Sequence, residues 1–400
     1  MAKIFMGSKR MEKSVLINPV ISRDVGEAHR SATPLELFYD LIYVIAIASL
    51  AAELHHAISA MHHIGHAIGM YFLIFFCIWW PWNTYTWFAS GYDTDDAQFR
   101  LASFAQMIGV IIIAVGVKPA FTDDHFLIMM IGYVIMRIPY VLMWLKVAFD
   151  DQRSRPVALR YALGATFVQI GWTLSILYFN SWNLFILLIV FELFVPYFAE
   201  LATDKGVNTK YHFEHIEERM GLLTIIVLGE SVLASVHAFE KVIEHFSTDL
   251  AMLVVGTILL LFSMWWLYFD DKVEAELGNK NKSFFWGYGH YFIFVFATAV
   301  GALISVNVDV LTHHAKIDES SAVLGLALVV AGYLVSVWIC HDFMLDKKGF
   351  SRYELLLLAA LVIVIAISLN SILLIGIAFA LLNAMRLVRQ HRQSLAIQTD

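Results

Sequence analysis

From Glu36 to Val388 the chain is built of apolar runs about twenty residues long, broken by short polar segments. A helix of that length spans about 30 Å, the thickness of a bilayer's hydrocarbon core. Twelve runs are found, at 36–58, 67–90, 100–122, 126–148, 158–179, 183–201, 220–240, 248–271, 286–307, 322–343, 352–369 and 371–388. They are continuous and do not alternate in polarity over about ten residues, so helices are expected and barrel strands are not. Only Asn370 separates the last two runs, which read as two spans or as one broken helix. Hydrophobic residues make up 60% of the chain and charged residues 15%, against about 25% charged in a soluble domain. Mean hydropathy is +0.70. A core of this size cannot hide so many apolar side chains from water, so lipid must solvate much of the surface. The chain reads as an all-α polytopic membrane helical bundle of about twelve transmembrane helices.

Charge then fixes orientation. With the N-terminus inside, all but four of the 27 lysines and arginines fall on inner segments. Lys118, Lys241 and Lys316 lie outside, and Arg137 lies within a span. This asymmetry at every second loop predicts an even number of spans with both termini in the cytoplasm, as expected for a bacterial inner-membrane protein. Residues Met1 to Ile21 lack an unbroken apolar core followed by a small-residue cleavage site, so they read as a cytoplasmic leader and not as a signal peptide. The net charge of −7 argues against nucleic-acid binding. Cys77 and Cys340 sit at or near the ends of apolar spans and read as small core hydrophobes, with no disulfide framework or metal-cysteine motif.

The two halves resemble each other. A shift of 181 positions pairs Leu41 with Leu222, Ile45 with Ile226 and Ala48 with Gly229. Trp79-Trp80 matches Trp265-Trp266 at 186, and Val115-Gly116 matches Val300-Gly301 at 185. Six helices per half is even, so two parallel repeats are expected, as in some transporters. The expected organisation is a cytoplasmic segment 1–35, a first six-helix repeat 36–201, a cytoplasmic linker 202–219, a second six-helix repeat 220–388 and a cytoplasmic tail 389–400.

Five segments stand out in order. They are Thr33-Pro-Leu-Glu-Leu-Phe-Tyr-Asp-Leu-Ile-Tyr-Val44, Tyr92-Asp-Thr-Asp-Asp96 followed by Arg100, Glu217-Glu-Arg-Met-Gly-Leu-Leu-Thr-Ile-Ile-Val-Leu-Gly-Glu230, Trp265-Trp-Leu-Tyr-Phe-Asp270, and Tyr288-Gly-His290. Together they resemble the bacterial low-temperature-requirement A (LtrA) family of membrane proteins, from about residue 30 to 310 and more weakly to the end. Tyr39 and Tyr43 stand where that family more usually has Phe. The resemblance implies an association with growth in the cold and brings no biochemical activity with it.

Ionisable groups inside a bilayer cost about 2.5–3.5 kcal/mol on insertion scales and are functional candidates by default. Arg137, Glu192 and Glu230 lie near mid-span at similar depth. A guanidinium stays charged there, so Arg137 is expected to pair with Glu192 or Glu230, either as a binding or proton-relay element or as an ion pair that fixes packing. Pro139 is expected to kink the helix beside it. A second group gathers at the inner ends: Glu36, Asp40, Asp93, Asp96, Arg100, Glu217, Arg219, Asp270 and His290. Acids favour helix N-termini, which accounts for Glu36 and Glu217. Asp270 closes a helix and needs a cation, a basic partner or solvent. These nine residues form an expected vestibule, with solvated loop charge as the alternative.

His212-Phe-Glu-His215 lacks the four-residue histidine spacing of a helical zinc site, so no metal site is assigned. Five outer histidines, His55, His56, His62, His63 and His66, invite proton or metal sensing or are plain surface groups. Trp79, Trp80, Trp82, Trp87, Trp265 and Trp266 are expected to anchor at the membrane interface. No Walker A motif and no Gly-x-Ser-x-Gly elbow occur. No cofactor is expected. A secondary transporter or ion-conducting protein with proton or cation coupling is the leading expectation, acting on a small solute or ion in contact with the lipid bilayer. An intramembrane enzyme acting on lipid at Glu36/Asp40 and Glu217/His290, and a non-catalytic scaffold or sensor, are the alternatives. An enzyme is the less favoured class.

The lysine and arginine distribution yields a direct test of topology. In a cysteine-free background, single cysteines at Ala60, Lys241 and Lys316 should react with impermeant thiol reagents from outside, and those at Ser154, Lys205 and Lys280 should not. Reversed labelling would overturn the orientation.

Overall fold

The computed structural model describes residues 15–23, 30–201, 209, 211–244, 247–270, 280–344 and 349–399. Most of the expected N-terminal segment 1–35, part of the linker 202–219, and Asp400 of the tail lie outside the described residues. Among the described residues there are twelve α-helices and no strand. They are α1 (Pro34–Ser59), α2 (Ile64–Tyr92), α3 (Ala97–Asp123), α4 (Leu127–Asp150), α5 (Arg155–Leu174), α6 (Trp182–Leu201), α7 (Phe213–Glu244), α8 (Thr248–Phe269), α9 (Lys280–Leu311), α10 (Glu319–Val337), α11 (Glu354–Leu369) and α12 (Ile372–Thr399). Each apolar run falls on one helix. Eleven helices among the described residues are long and apolar enough to cross a membrane; α7 is the helix outside that set.

Local chemistry sets several ends. Thr33-Pro-Leu-Glu36 is a capping box: the Thr33 hydroxyl accepts from the Glu36 amide (3.2 Å) and Glu36 accepts from the Thr33 amide (2.8 Å). Pro34 sits where its missing N–H costs nothing. Asp318 caps α10 by accepting from the Ser321 amide (2.9 Å). Asn370 takes a left-handed conformation (φ 48°) that ends α11, so the last two runs are separate helices. α5 and α10 each finish in a π-helical turn, at Ser175–Phe179 and Trp338–Phe343.

The polarity of the molecule is reversed from that of a soluble protein. Leu163, Phe167, Phe262 and Ile367 are 66–69% exposed, while Glu36, Asp40, Arg219 and His290 are 0% exposed. Apolar surface of this kind is matched by lipid, and the charges are drawn inward where partners exist.

The chain divides into two compact units. One comprises Met1–Glu27, Phe88–Gly109 and Tyr133–Tyr211. In it α5 and α6 pack closely, Gly164 against Val195 and Gly171 against Leu188. Trp144 stacks on Tyr161, with ring centroids 4.1 Å apart. The Glu200 carboxylate accepts from the hydroxyls of Tyr161 (3.3 Å) and Tyr211 (3.0 Å) and from the Thr209 amide (3.1 Å).

The other unit comprises Ala28–Trp87, Val110–Gly132 and His212–Asp400. Its packing pairs α8 with α12, α9 with α10 and α7, and α10 with α11. α1 rests on α9 and α7. Trp79, Trp80, Trp82 and Trp87 are buried here and do not anchor at the interface as expected. Two of the indole groups find partners inside: Trp82 donates to Asp40 (2.6 Å), and Trp87 to Asn83 (3.1 Å). Trp265 and Trp266 do remain exposed, at 47% and 45%.

Small residues permit the closest helix crossing in this unit. A Cβ on Gly376 of α12 would stand 2.4 Å from the Gly256 carbonyl oxygen of α8, and a Cβ on Gly256 would stand 2.7 Å from the Leu373 backbone. Backbone cannot yield as a side chain does, so the helices must part. Gly376→Ala should therefore destabilise the protein by about 1–3 kcal/mol, read as a lower thermal midpoint. Gly65→Ala, whose Cβ would meet nothing within 4 Å, should leave the midpoint unchanged or slightly raised.

Candidate functional site

The capping box at the start of α1 places Glu36, and one further turn places Asp40 on the same face. Opposite them the first turns of α7 present His215 and Arg219. The Arg219 guanidinium forks onto Asp40, Nε to Oδ2 at 3.1 Å and Nη2 to Oδ1. Its third nitrogen, Nη1, lies 3.1 Å from Glu36 Oε1. His215 Nε2 lies 3.1 Å from the same oxygen, and Arg30 Nη2 lies 3.9 Å away. The Trp82 ring faces the guanidinium at 5.9 Å and its indole N–H holds Asp40. Burial holds His215 below its ordinary pKa against the pull of Glu36, so it stands neutral. Burial likewise raises the neighbouring Glu218, which accepts from the Ala32 amide at 2.9 Å. The lock is thus two carboxylates balanced by two guanidinium groups.

Farther along the same helices the packing opens. A cavity of about 540 Å³ lies between α1, α7 and α9. Its walls carry Glu230 and Glu240 from α7, Asp309 from α9 and His55 from α1, with Thr298 and Ser305. The other lining residues are Ala48, Ala51, Ala52, Leu233, Gly301, Ala302 and Val308. Among the described residues no lysine or arginine lines it. Asp309 Oδ2 contacts His55 Nε2 at 2.7 Å and accepts from the Ser59 hydroxyl at 3.0 Å. Glu230 is half-buried, and among the described residues it has neither an ion-pair nor a hydrogen-bond partner. Beside it Gly229 has open space where a Cβ would stand. Thr298 is 1% exposed and its hydroxyl lies beside that of Tyr71. Tyr71 nearby gives its own proton to the Val295 carbonyl (2.7 Å). A half-buried carboxylate at Glu230, without a partner among the described residues, suits a positively charged guest.

The remaining expected site residues are distributed as follows. Arg137 and Glu192 lie in the first unit and form a buried ion pair, with Gln169 at 3.5 Å and the rings of Tyr133 and Tyr140 flanking the guanidinium at 5.5 and 5.9 Å. Glu230 belongs to the second unit. Asp93, Asp96 and Arg100 also lie in the first unit. There Asp96 caps α3 through the Phe99 amide (2.9 Å) and accepts from the Asn18 amide (2.7 Å). Asp93 lies 3.4 Å from Arg23, and Arg100 pairs with Asp95 at 2.9 Å on the surface. Glu36, Asp40, Glu217, Arg219, Asp270 and His290 lie in the second unit. Asp270 has the basic partner its position demands, Arg386 at 3.6 Å, which also lies 3.7 Å from Asp342. His290 donates from Nδ1 to the Trp286 carbonyl (2.8 Å), which leaves Nε2 to accept from the Tyr268 hydroxyl (2.9 Å).

Asp309, Thr298 and the role of His215 escaped the sequence reading. Asp309 lies just past the expected end of its span, and its partner His55 is 254 positions away. His56, His62, His63 and His66 line a second cavity of about 530 Å³ with Glu53, and His66 lies 3.1 Å from Asp124. Among the described residues no group of three His, Cys, Asp or Glu is placed to hold a metal ion.

Removing one member of a buried charge pair strands the other. Arg219→Gln should cost about 3–5 kcal/mol, measured as a fall in thermal stability of the purified protein. Asp40→Asn combined with Arg219→Gln should recover part of that loss, because fewer buried charges are then uncompensated.

The sequence pattern of the family described as Bacterial low temperature requirement A protein (LtrA) matches residues 31–387. The match takes in Glu36, Asp40, His215 and Arg219 of the lock, the acidic cavity and the Arg137–Glu192 pair. An uncharacterized protein of Rhizobium meliloti (strain 1021) is 28% identical over 288 residues, covering 66% of this chain and 67% of that protein. The helices, their lipid-matched surfaces and this match over residues 31–387 together place the chain in the bacterial low-temperature-requirement A (LtrA) family of membrane proteins.

Proposed function

We propose that the chain moves a cation across the bacterial inner membrane, as a secondary transporter or ion-conducting protein, with Glu230 as its coupling carboxylate. The observation that carries this reading is the acidic cavity between α1, α7 and α9, where Glu230 is half-buried with no partner among the described residues and no described lysine or arginine lines the wall. Glu230 stands eleven residues beyond Arg219 on α7, about 16 Å along the helix. The cavity and the lock therefore occupy different depths of one three-helix assembly. With both termini in the cytoplasm, the lock closes the inner side and the cavity faces outward. The lysine and arginine bias supports that orientation. The six-helix repeats 36–201 and 220–388 belong to the same reading and are supported by the matched sequence offsets. A connection to growth at low temperature comes from the family description alone.

A carboxylate with no built-in counter-charge can exchange a proton for a cation, because neither state leaves a buried partner stranded. Glu36, Asp40 and Arg219 serve the opposite purpose. Their charges are mutually satisfied, so no ion gains by entering while the lock is intact.

Glu230→Gln tests the assignment. The variant should purify with unchanged thermal stability, since Glu230 holds no partner among the described residues. In proteoliposomes it should lose most dye-reported proton movement driven by gradients of Na⁺, K⁺ or an alkylammonium ion. Full flux in a stable Glu230→Gln protein would remove Glu230 from the mechanism.

A further inference from the structure

We infer that a membrane phospholipid occupies a slot between α3 and α4, with one acyl chain between the helices and its phosphate on Lys146. The inference is independent of the cation reading.

The slot is a cavity of about 280 Å³, walled by the end of α2, the start of α3, the second half of α4 and Val20 of the segment 15–23. Every residue that lines it belongs to the first compact unit. Its polarity changes along its length. Thr94, Gln98 and Lys146 lie at the helix ends, whereas Phe88, Phe99, Ala102 and Met143 lie deeper. Pro139 marks the deep end, seven residues before Lys146 and so about 10 Å away along α4. Leu101 and Leu142 also line the slot and are 66% and 58% exposed. They belong to the apolar surface that lipid covers, so the slot opens toward the bilayer. A guest that enters there must be apolar at hydrocarbon depth and polar where the helices end, which describes a phospholipid.

The polar end is built for a phosphate. Lys146 Nζ donates to Asp150 at 2.7 Å, and the same carboxylate accepts from the Val20 amide (2.9 Å). An ammonium has three N–H donors, so two are left for phosphate oxygens. Asp96 in the same wall is engaged by the Phe99 amide (2.9 Å) and the Asn18 amide (2.7 Å). The Thr94 hydroxyl is buried and has no hydrogen-bond partner among the described residues. Buried hydroxyls ordinarily have one, and a phosphate oxygen on Lys146 supplies it. Deeper in, an acyl chain gains dispersion contact with Phe88, Phe99 and Met143, contact that an empty slot forfeits.

The experiment is native mass spectrometry of the purified full chain, incubated with palmitoyl-oleoyl phosphatidylglycerol or with the diacylglycerol that carries the same chains. One phosphatidylglycerol should be retained on the order of tenfold more strongly than diacylglycerol, the worth of a hydrogen bond to a charged group. Thr94→Val should weaken that retention severalfold. Lys146→Gln should bring it close to the diacylglycerol level. Lys146→Gln also breaks the pair with Asp150, so Ala102→Phe is the second variant: it keeps every polar group and fills the slot. It should abolish the retention of phosphatidylglycerol. Leu163→Phe, on the lipid-exposed side of α5 and outside the slot, should change nothing. Equal retention of the two lipids by the wild type would overturn the phosphate site. Undiminished retention in Ala102→Phe would overturn the slot. A loss in Leu163→Phe as large as in Ala102→Phe would reduce the bound lipid to the general annulus and overturn the proposal as a whole.

Discussion

A guanidinium cannot shed its charge, and in a bilayer it cannot be left alone. Arg219 meets both conditions by taking Asp40 with two nitrogens and Glu36 with the third. Its position dictates much else in its unit. Asp40 is further satisfied by Trp82, so α2 must bring an indole to the same point and bury it. Glu36 also closes the capping box, so the start of α1 and the ion cluster are one feature. α1 and α7 are held together at these first turns. Farther along, space opens between α1, α7 and α9.

The helical class was legible because bilayer thickness leaves its mark on every run. The length of an apolar stretch, its continuity and the residues that end it are local properties. The twelve runs accordingly fall on twelve helices, and Asn370 divides the last pair by a left-handed turn that asparagine tolerates. The capping box at Thr33 was equally readable from its spacing. Reading Asp270 as a helix-end acid in need of a basic partner pointed toward Arg386, although nothing local identified that partner.

Long-range assembly left weaker marks. The sequence grouped nine charged residues by their shared membrane depth, but depth does not say which helices are neighbours. Asp93, Asp96 and Arg100 belong to one compact unit and the other six to the second. Tryptophan misled for a related reason. An indole is suited both to an interface and to a buried site with an acceptor, and the choice depends on whether an acceptor such as Asp40 or Asn83 is within reach. Asp309 was invisible because its significance comes from His55, Ser59 and the cavity, all supplied by other parts of the chain or by the end of α1.

The contrast between the two carboxylate groups gives the proposed transport cycle its energetic shape. Opening the lock by simple separation would strand Arg219 and two acids, at a cost of about 3–5 kcal/mol for a broken buried pair. Such a step is rare unless something replaces the lost partner. In the proposed cycle a cation that travels along α7 would supply positive charge to one of the two acids while Arg219 keeps the other as its partner, so that neither sign is stranded. An empty cavity offers no such compensation. On that reading opening is tied to occupancy, and passage depends on the guest's charge. A neutral guest of the same size would leave the acids unpaid and the gate shut.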